Sequence, residues 1–274
     1  MSKKLEIGSG ADELLTEIRQ HVAILTLNRP EAMNALTGTL AAALGKRIRC
    51  LAEDPQVRAI LITGAGSAFC AGADVKRMNR NSTEVEQALE QRVADFRVEQ
   101  RALVGALVAV RKPTVAAILG PAAGAGLALA LACDIRVAAH SAILTTAYAR
   151  IGLSGDYGIA WLLTQVAGFT RARELMFLSE RIDAQGAEAI GLVSRVVPDG
   201  ELSDAAFALA VSLARGPTVA FGRMKDNLDH AVISTFRASL DYEAENVIRT
   251  GQTLDHREGL RAFAEKRKPI FEGH

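Results

Sequence analysis

The sequence has few cysteines, with only 3 in 274 residues. Cys50, Cys70 and Cys133 are widely spaced. They show neither the ligand spacing of a zinc site nor the paired spacing of a secreted disulfide framework. The five histidines likewise show no metal-ligand spacing. We therefore expect reduced thiols in a cytoplasmic compartment and no metal.

The sequence also lacks an excess of positive or negative charge. The chain has 32 Lys and Arg against 31 Asp and Glu, a formal net charge of +1. Such a balance provides no basic stripe for a nucleic-acid backbone or an anionic membrane surface. The longest apolar stretch, residues 122–133, is interrupted by glycine and is too short to span a bilayer. Residues 1–20 contain no apolar segment typical of a signal sequence. We expect neither a nucleic-acid nor a membrane partner.

Apolar residues, by contrast, make up 49% of the chain, enough for one large core. Short runs rich in β-branched residues predict strands at residues 22–27, 57–63, 114–119 and 134–139. Between the first two runs, Leu40, Leu44, Ile48 and Leu51 recur at helical spacing. Thr37 precedes them as a candidate N-cap. This alternation is typical of an α/β fold.

The strand pattern stops near the Pro198-Asp199-Gly200 turn. The rest of the chain predicts helices, at residues 202–214, 219–229, 236–249 and 255–266. The last begins at Asp255 and has Glu258 three residues later, which resembles a capping box. We predict an α/β core over residues 1–198 and a helical region over residues 199–274 that fold as one unit.

Two segments rich in small residues each follow a predicted strand and precede a helix. They are AFCAGADVK at residues 68–76 and GPAAGAG at residues 120–126. Small side chains let a ligand approach the backbone, and the unpaired N–H groups of a helix start favour negative charge. Together the two turns would form an oxyanion hole. Each alone is equally well explained as a tight turn or as close helix–strand packing.

Five motifs occur in one order along nearly the whole chain. They are NRPEAMNAL (28–36), AFCAGADVKRM (68–78), LGPAAGAGLALALACD (119–134), RIDAQGAEAIGLVSRVV (181–197) and EGLRAFAEKRKPIF (258–271). In this set the chain resembles the crotonase (enoyl-CoA hydratase/isomerase) superfamily. The resemblance implies a spiral of ββα turns with a C-terminal helical region that builds trimers, often paired into hexamers. It also implies an acyl-CoA substrate, with coenzyme A as part of the thioester and no tightly bound cofactor.

Carried over by position, the resemblance assigns the oxyanion donors to the backbone N–H groups of Ala73 and Ala125. These groups would bind the thioester oxygen as it becomes an enolate. Ala125 stands where the family usually has glycine. Its methyl group fits only if φ is negative.

The same resemblance indicates which residues surround coenzyme A. Its adenine and pantetheine arm is expected near Ala32, Met33, Ala71, Asp74 and Val75. Phe263 and Lys266, on the last helix, would approach coenzyme A of the same or a neighbouring subunit. Lys266 also lies in a charge run, which is typical of a solvated face. The polar segment at residues 79–101 predicts a partly exposed helix, either a solvated surface helix or a substrate-contacting lid.

Two glutamates that hold a water molecule in complete enoyl-CoA hydratases are replaced here. Their positions align with Ala128 and Tyr148, neither of which can transfer a proton as a carboxylate does. Asp156 lies where several isomerases of the superfamily have a single catalytic aspartate, and it is our candidate base. Its alternative role is to cap the following helix.

One carboxylate and an enolate hole favour isomerisation of 3-enoyl-CoA to 2-enoyl-CoA, which needs no bound water. Hydration of 2-enoyl-CoA remains open, with Tyr148 or Tyr157 orienting the water. Dehalogenation is less favoured, since its branch uses a histidine before the second turn and none lies between His21 and His140. A non-catalytic scaffold that binds coenzyme A is the remaining alternative.

Overall fold

The computed structural model describes residues 3–4, 13–74 and 88–274, and these contain two β-sheets and a series of helices. The strands are β1 (Lys3–Lys4), β2 (Leu14–Arg19), β3 (Val22–Leu27), β4 (Ala59–Gly64), β5 (Thr114–Ile118), β6 (Pro121–Ala123), β7 (Ile135–Ala139), β8 (Ile143–Thr145), β9 (Ile182–Asp183) and β10 (Arg195–Val197).

The larger sheet has 7 strands in the order β1-β2-β3-β4-β5-β7-β10. β1, β2 and β3 are antiparallel neighbours, whereas β3, β4, β5, β7 and β10 run parallel. In the 3-stranded sheet, β8 pairs in parallel with β6 and antiparallel with β9. Because β6 follows β5 almost directly, the chain passes from the large sheet to the small one at residues 119–121.

The helices lie between the parallel strands and after β10. They are α1 (Gly38–Glu53), α2 (Leu89–Gln100), α3 (Ala125–Leu131), α4 (Ile159–Leu178), α5 (Ala184–Ala189), α6 (Leu202–Ala214), α7 (Thr218–Ile233), α8 (Phe236–Thr250) and α9 (Leu254–Ala264). A π-helical turn, Arg101–Gly105, extends α2. Thr37 caps α1 as predicted, since its side-chain oxygen accepts a hydrogen bond of 3.0 Å from the amide of Leu40.

Two apolar cores cover the faces of the large sheet. One joins the buried side of α1, including Leu44 and Ile48, to the strands, α3 and the start of α4. The other packs α6 on the opposite face, where Ala206 and Ala210 lie against a surface that includes Val115. Small alanines let this helix approach the sheet closely. The helical region after Pro198 is therefore continuous with the α/β core through α6.

The predicted start of the last helix is wrong. Thr253 is the N-cap of α9, and its side-chain oxygen accepts a 3.0 Å bond from the amide of His256. The buried carboxylate of Asp255 instead accepts bonds from the amides of Glu272 and Gly273, at 2.7 and 2.9 Å. The helix is thus capped locally by Thr253, while the Asp255 carboxylate forms long-range contacts with the C-terminal residues.

Among the described residues, no single helix is long and apolar enough to cross a bilayer. The adjoining segments Asp199–Ala214 and Thr218–Ile233 pass a test of length and composition together, and they are bent by 98°.

Candidate active site

The two turns rich in small residues are in direct contact. The amide of Cys70 donates to the carbonyl of Pro121 at 3.1 Å, and the amide of Ala123 donates back to Cys70 at 3.0 Å. A methyl group at Gly72 would lie 2.8 Å from the carbonyl oxygen of Ala123 and 3.7 Å from the nitrogen of Ala125. Only glycine permits this approach, so the segment before Ala73 abuts the start of α3.

The Ala73 and Ala125 amides are both available at this contact. Leu36 pairs with the residues on either side of Ala73, since its amide donates to Gly72 at 2.7 Å and its carbonyl accepts from Asp74 at 3.1 Å. Ala125 is the first residue of α3, where an amide has no intrahelical partner. Within the described ranges, neither amide donates a hydrogen bond to a protein acceptor.

Ala125 has the negative φ that its methyl group requires. The positive φ of this turn belongs to the preceding residue. Gly124 has φ 51° and ψ −122° and supplies the turn into α3. Ala125 is helical and is not one of the non-glycine residues with positive φ. A methyl group at position 125 is therefore compatible with an oxyanion donor.

Residues of the NRP motif hold the first turn in place. The side-chain amide of Asn34 donates to the carbonyls of Ala65 and Ala68 at 2.9 and 2.7 Å. Arg29 forms an ion pair of 3.3 Å with Asp74 and a second of 3.1 Å with Glu13. Asp74 thus anchors this turn to the NRP motif.

The other residues predicted to surround coenzyme A lie beside Asp74. Ala32 ends a 3₁₀ turn, Pro30–Ala32, and Met33 follows it with φ 48° and a 50% exposed side chain. The carbonyl of Met33 accepts a bond of 2.9 Å from the amide of Ala71. Val75 lies outside the described residues. The structure therefore brings Ala32, Met33, Ala71 and Asp74 together on one partly exposed surface.

The side chain of Asp156 does not cap α4, whose N-cap is Gly158. Its carboxylate instead accepts a hydrogen bond from the hydroxyl of Tyr148. The Tyr148 ring lies on the second turn, because a methyl group at Gly124 would be 3.7 Å from its Cζ atom. Tyr148 therefore connects Asp156 to the turn that carries Ala125.

Burial raises the pKa of the Asp156 carboxyl group above its ordinary value. The Tyr148 hydrogen bond acts in the opposite direction, and the negative charge of Glu99 raises this pKa further. Burial, followed by the nearby charge of Asp156, also raises the pKa of the Tyr148 hydroxyl. Tyr148 is therefore a neutral donor at physiological pH.

Glu99 is a second carboxylate in this region that the sequence interpretation missed. It lies in the last turn of α2 and accepts a bond of 2.5 Å from the hydroxyl of Tyr157. The helix that carries it begins at Leu89. Of the polar segment predicted at 79–101, residues 79–87 lie outside the described residues. No local sequence signal indicates this carboxylate, because its partner Tyr157 is 58 positions away.

The positions aligned with the hydratase glutamates contain no carboxylate. Ala128 is fully buried in α3, and Tyr148 is almost completely buried. Cys70 is also fully buried, and burial raises the pKa of its thiol to about 12, which makes it a poor nucleophile. Among the described residues, no group of His, Cys, Asp and Glu is arranged to hold a metal ion.

The structure does not bring the two C-terminal candidates to this site. Phe263, in α9, is 86% exposed, and Lys266 follows the helix with φ 53° and an exposed side chain. Within the described part of the chain, neither side chain forms a hydrogen bond, ion pair or ring contact with the site residues.

Two abutting turns with available amides lie near a partly buried carboxylate, an arrangement suited to binding an oxyanion formed by proton transfer. Residues 17–274 match the family profile described as enoyl-CoA hydratase/isomerase. The chain belongs to this family, and its membership of the crotonase superfamily is confirmed.

Relatives support this assignment over nearly the full length of the chain. The 1,2-epoxyphenylacetyl-CoA isomerase of Escherichia coli (strain K12) is 38% identical over 260 residues, covering 95% of this chain and 98% of that protein. The mitochondrial methylglutaconyl-CoA hydratase of Mus musculus is 36% identical over 266 residues, 94% of this chain and 82% of that protein. The crystal structure of an enoyl-CoA hydratase from Polaromonas sp. JS666 superposes with a TM-score of 0.88 at 32% identity, covering 94% of this chain and 99% of that chain.

Proposed function

We propose that the enzyme isomerises 3-enoyl-CoA thioesters to conjugated 2-enoyl-CoA thioesters, with Asp156 as its acid/base. The observation that carries this proposal is the position of the Asp156 carboxylate. It is partly buried and accepts a hydrogen bond from the Tyr148 hydroxyl, and the Tyr148 ring packs against Gly124. A base near the oxyanion turn with a raised pKa is suited to accept and return one proton.

The reaction follows from this arrangement. The thioester oxygen would accept hydrogen bonds from the amides of Ala73 and Ala125. Asp156 would remove a proton from C2, so that the electron pair of the C–H bond spreads into a dienolate centred on that oxygen. The same carboxyl group would return the proton to C4, which leaves the double bond between C2 and C3. No water is consumed, and no resident cofactor is required.

Coenzyme A would lie on the surface formed by Ala32, Met33, Ala71 and Asp74, with Val75 next in sequence. We propose a homotrimer or a hexamer, in which Phe263 and Lys266 approach the coenzyme A of a neighbouring subunit. Exposed apolar side chains on the C-terminal helices support such an assembly; they include Ile233, Phe236 and Phe263, at 82%, 81% and 86% exposure. A cytoplasmic location agrees with three free cysteines.

Hydration of 2-enoyl-CoA is the second candidate. Glu99 favours it, because a second carboxylate near Asp156 supplies a pair of groups that could hold and split a water molecule. The mouse relative is named as a hydratase. The two reactions differ in the mass of their products.

The test is to incubate the enzyme with 3-hexenoyl-CoA and, separately, with crotonyl-CoA. We expect the first to gain conjugated-enone absorbance without a change of mass. Addition of one water to crotonyl-CoA, with no conversion of 3-hexenoyl-CoA, would replace isomerisation by hydration. If neither reacts, acetoacetyl-CoA, an enolisable ligand, distinguishes a working oxyanion hole from a scaffold. Failure to bind it would contradict both enzymatic proposals.

Replacing Tyr148 with phenylalanine should move the acidic limb of the kcat/KM profile to higher pH. The hydroxyl stabilises the ionised form of Asp156, so its removal raises the pKa of that carboxyl group. Because the base must be ionised, activity is then lost at a higher pH as the pH falls. We expect a displacement of about 1–2 pH units, since one hydrogen bond to a charged group contributes roughly 1.5–3 kcal/mol net and one pKa unit corresponds to about 1.4 kcal/mol. A limb that stays in place or moves to lower pH would contradict the role of this bond.

A further inference from the structure

The C-terminal end of α2 holds the loop that carries Asp156. The carboxylate of Glu99 accepts a bond of 2.5 Å from the Tyr157 hydroxyl. The next residue, Gln100, accepts a bond of 2.5 Å from the Tyr157 backbone amide through its side-chain oxygen. The Phe96 ring meets the Tyr157 ring edge-on, with centroids 5.8 Å apart. Three neighbouring residues on one helix face therefore contact the residue that directly follows Asp156.

Because of these contacts, the C-terminal end of α2 is not simply a solvent-exposed surface helix. Tyr157 is buried, and its φ of 47° is unusual for a residue other than glycine. Such a conformation persists when surrounding contacts hold it. Glu99 and Gln100 provide two of them, one to the side chain and one to the backbone of Tyr157.

Two hydroxyl–carboxylate pairs thus lie near each other, Tyr148 with Asp156 and Tyr157 with Glu99. Two groups act on Asp156, Tyr148 from the 3₁₀ turn Tyr148–Ile151 and Glu99 from α2, and the charge of Asp156 in turn contributes to raising the pKa of Tyr157. Within the described ranges, neither carboxylate forms an ion pair with a cation. Among the residues that the structure describes, the charge of Glu99 therefore acts on Asp156 without an ion-pair partner.

We propose that Glu99 is a positioning residue of the active site, which holds the Asp156 loop through Tyr157 and places a negative charge next to that loop. The inference rests on the proposed role of Asp156. When Asp156 takes up a proton from carbon, the C–H bond breaks, an O–H bond forms, and the repulsion between the two carboxylates is relieved. Glu99 thereby favours the proton transfer without contacting the substrate.

Glu99→Gln tests the charge separately from the hydrogen bond, because the amide oxygen of glutamine still accepts a bond from Tyr157. Removing a like charge lowers the pKa of Asp156, so activity persists to a lower pH before the base is protonated. We expect the acidic limb of kcat/KM to move to lower pH by at least about 0.5 pH unit, because a nearby like charge raises the pKa of a carboxyl group. Glu99→Asp restores the charge, and its acidic limb should return towards the wild-type position.

A second measurement does not depend on turnover. With ¹³C-labelled aspartate, the Asp156 carboxyl signal is assigned by its loss in Asp156→Asn and then titrated by NMR. The signal should titrate at a lower pH in Glu99→Gln than in the wild-type enzyme. Glu90→Gln is the matched control, because it removes the same charge from an exposed position on the same helix and should leave the titration unchanged.

The outcomes separate the two proposals. An unchanged Asp156 titration in Glu99→Gln, or an equal displacement in Glu90→Gln, would overturn the role of Glu99 even if isomerisation is confirmed. A displaced titration in an enzyme that converts neither 3-hexenoyl-CoA nor crotonyl-CoA would support the coupling of the two carboxylates, while the proposed reaction would fail.

Discussion

Asp156→Asn is expected to lower kcat for isomerisation of 3-hexenoyl-CoA by about 10²- to 10⁴-fold, the range typical of a lost general acid/base. Asparagine keeps the size of the side chain, and its carbonyl oxygen can still accept the bond from Tyr148. It cannot take up a proton at neutral pH. The loss should therefore appear in kcat, whereas binding of the substrate thioester should change little.

Steady-state kinetics and binding of acetoacetyl-CoA together test this expectation. Asp241→Asn serves as the control, because Asp241 is exposed on α8. Its variant should retain wild-type kcat. If Asp156→Asn keeps more than about a tenth of the activity, another group removes the proton, and Glu99 becomes the first candidate.

Gly72→Ala is expected to reduce kcat by about 10²-fold or more, the effect of losing one oxyanion donor. Gly72 has φ 95°, which disfavours a side chain, and a new methyl group would lie 2.8 Å from the carbonyl oxygen of Ala123. The backbone must move to relieve this contact. That movement would separate the Ala73 amide from the Ala125 amide.

Enolate absorbance on binding acetoacetyl-CoA gives the most direct measurement, and it should be lost in Gly72→Ala. The melting temperature should fall as well, since overpacking typically costs about 1–3 kcal/mol. Gly38→Ala is the matched control, because a methyl group at Gly38 would meet no atom within 4 Å. Full enolate absorbance in a folded Gly72→Ala enzyme would disprove the placement of the oxyanion hole at the contact between the turns.

Local patterns predicted the four central strands of the large sheet and the four C-terminal helices. The β3 strand, Val22–Leu27, has the predicted bounds, as does α6, Leu202–Ala214. Both carry short-range signals, β-branched alternation in the first and helical periodicity in the second. The Thr37 cap was correct for the same reason, because capping depends on residues three positions apart.

The predictions that depended on residues distant in sequence were less accurate. Asp255 was wrongly assigned to a capping box because its partners, Glu272 and Gly273, are 17 and 18 residues away. For Asp156, the local capping alternative is excluded, since its side chain pairs with Tyr148 and Gly158 caps the helix. The catalytic role of Asp156 remains a proposal.

By itself, the sequence determined the α/β class, the family and the two turns that carry Ala73 and Ala125. These are encoded in contiguous motifs whose local preferences, such as glycine at positions with positive φ, agree with the fold. Only the tertiary structure decided that Gly72 contacts the start of α3 and that Glu99 lies near Asp156. Glu99 is separated from Tyr157 by 58 positions. A charge acts through space and not along the chain, so no local pattern could reveal that pairing.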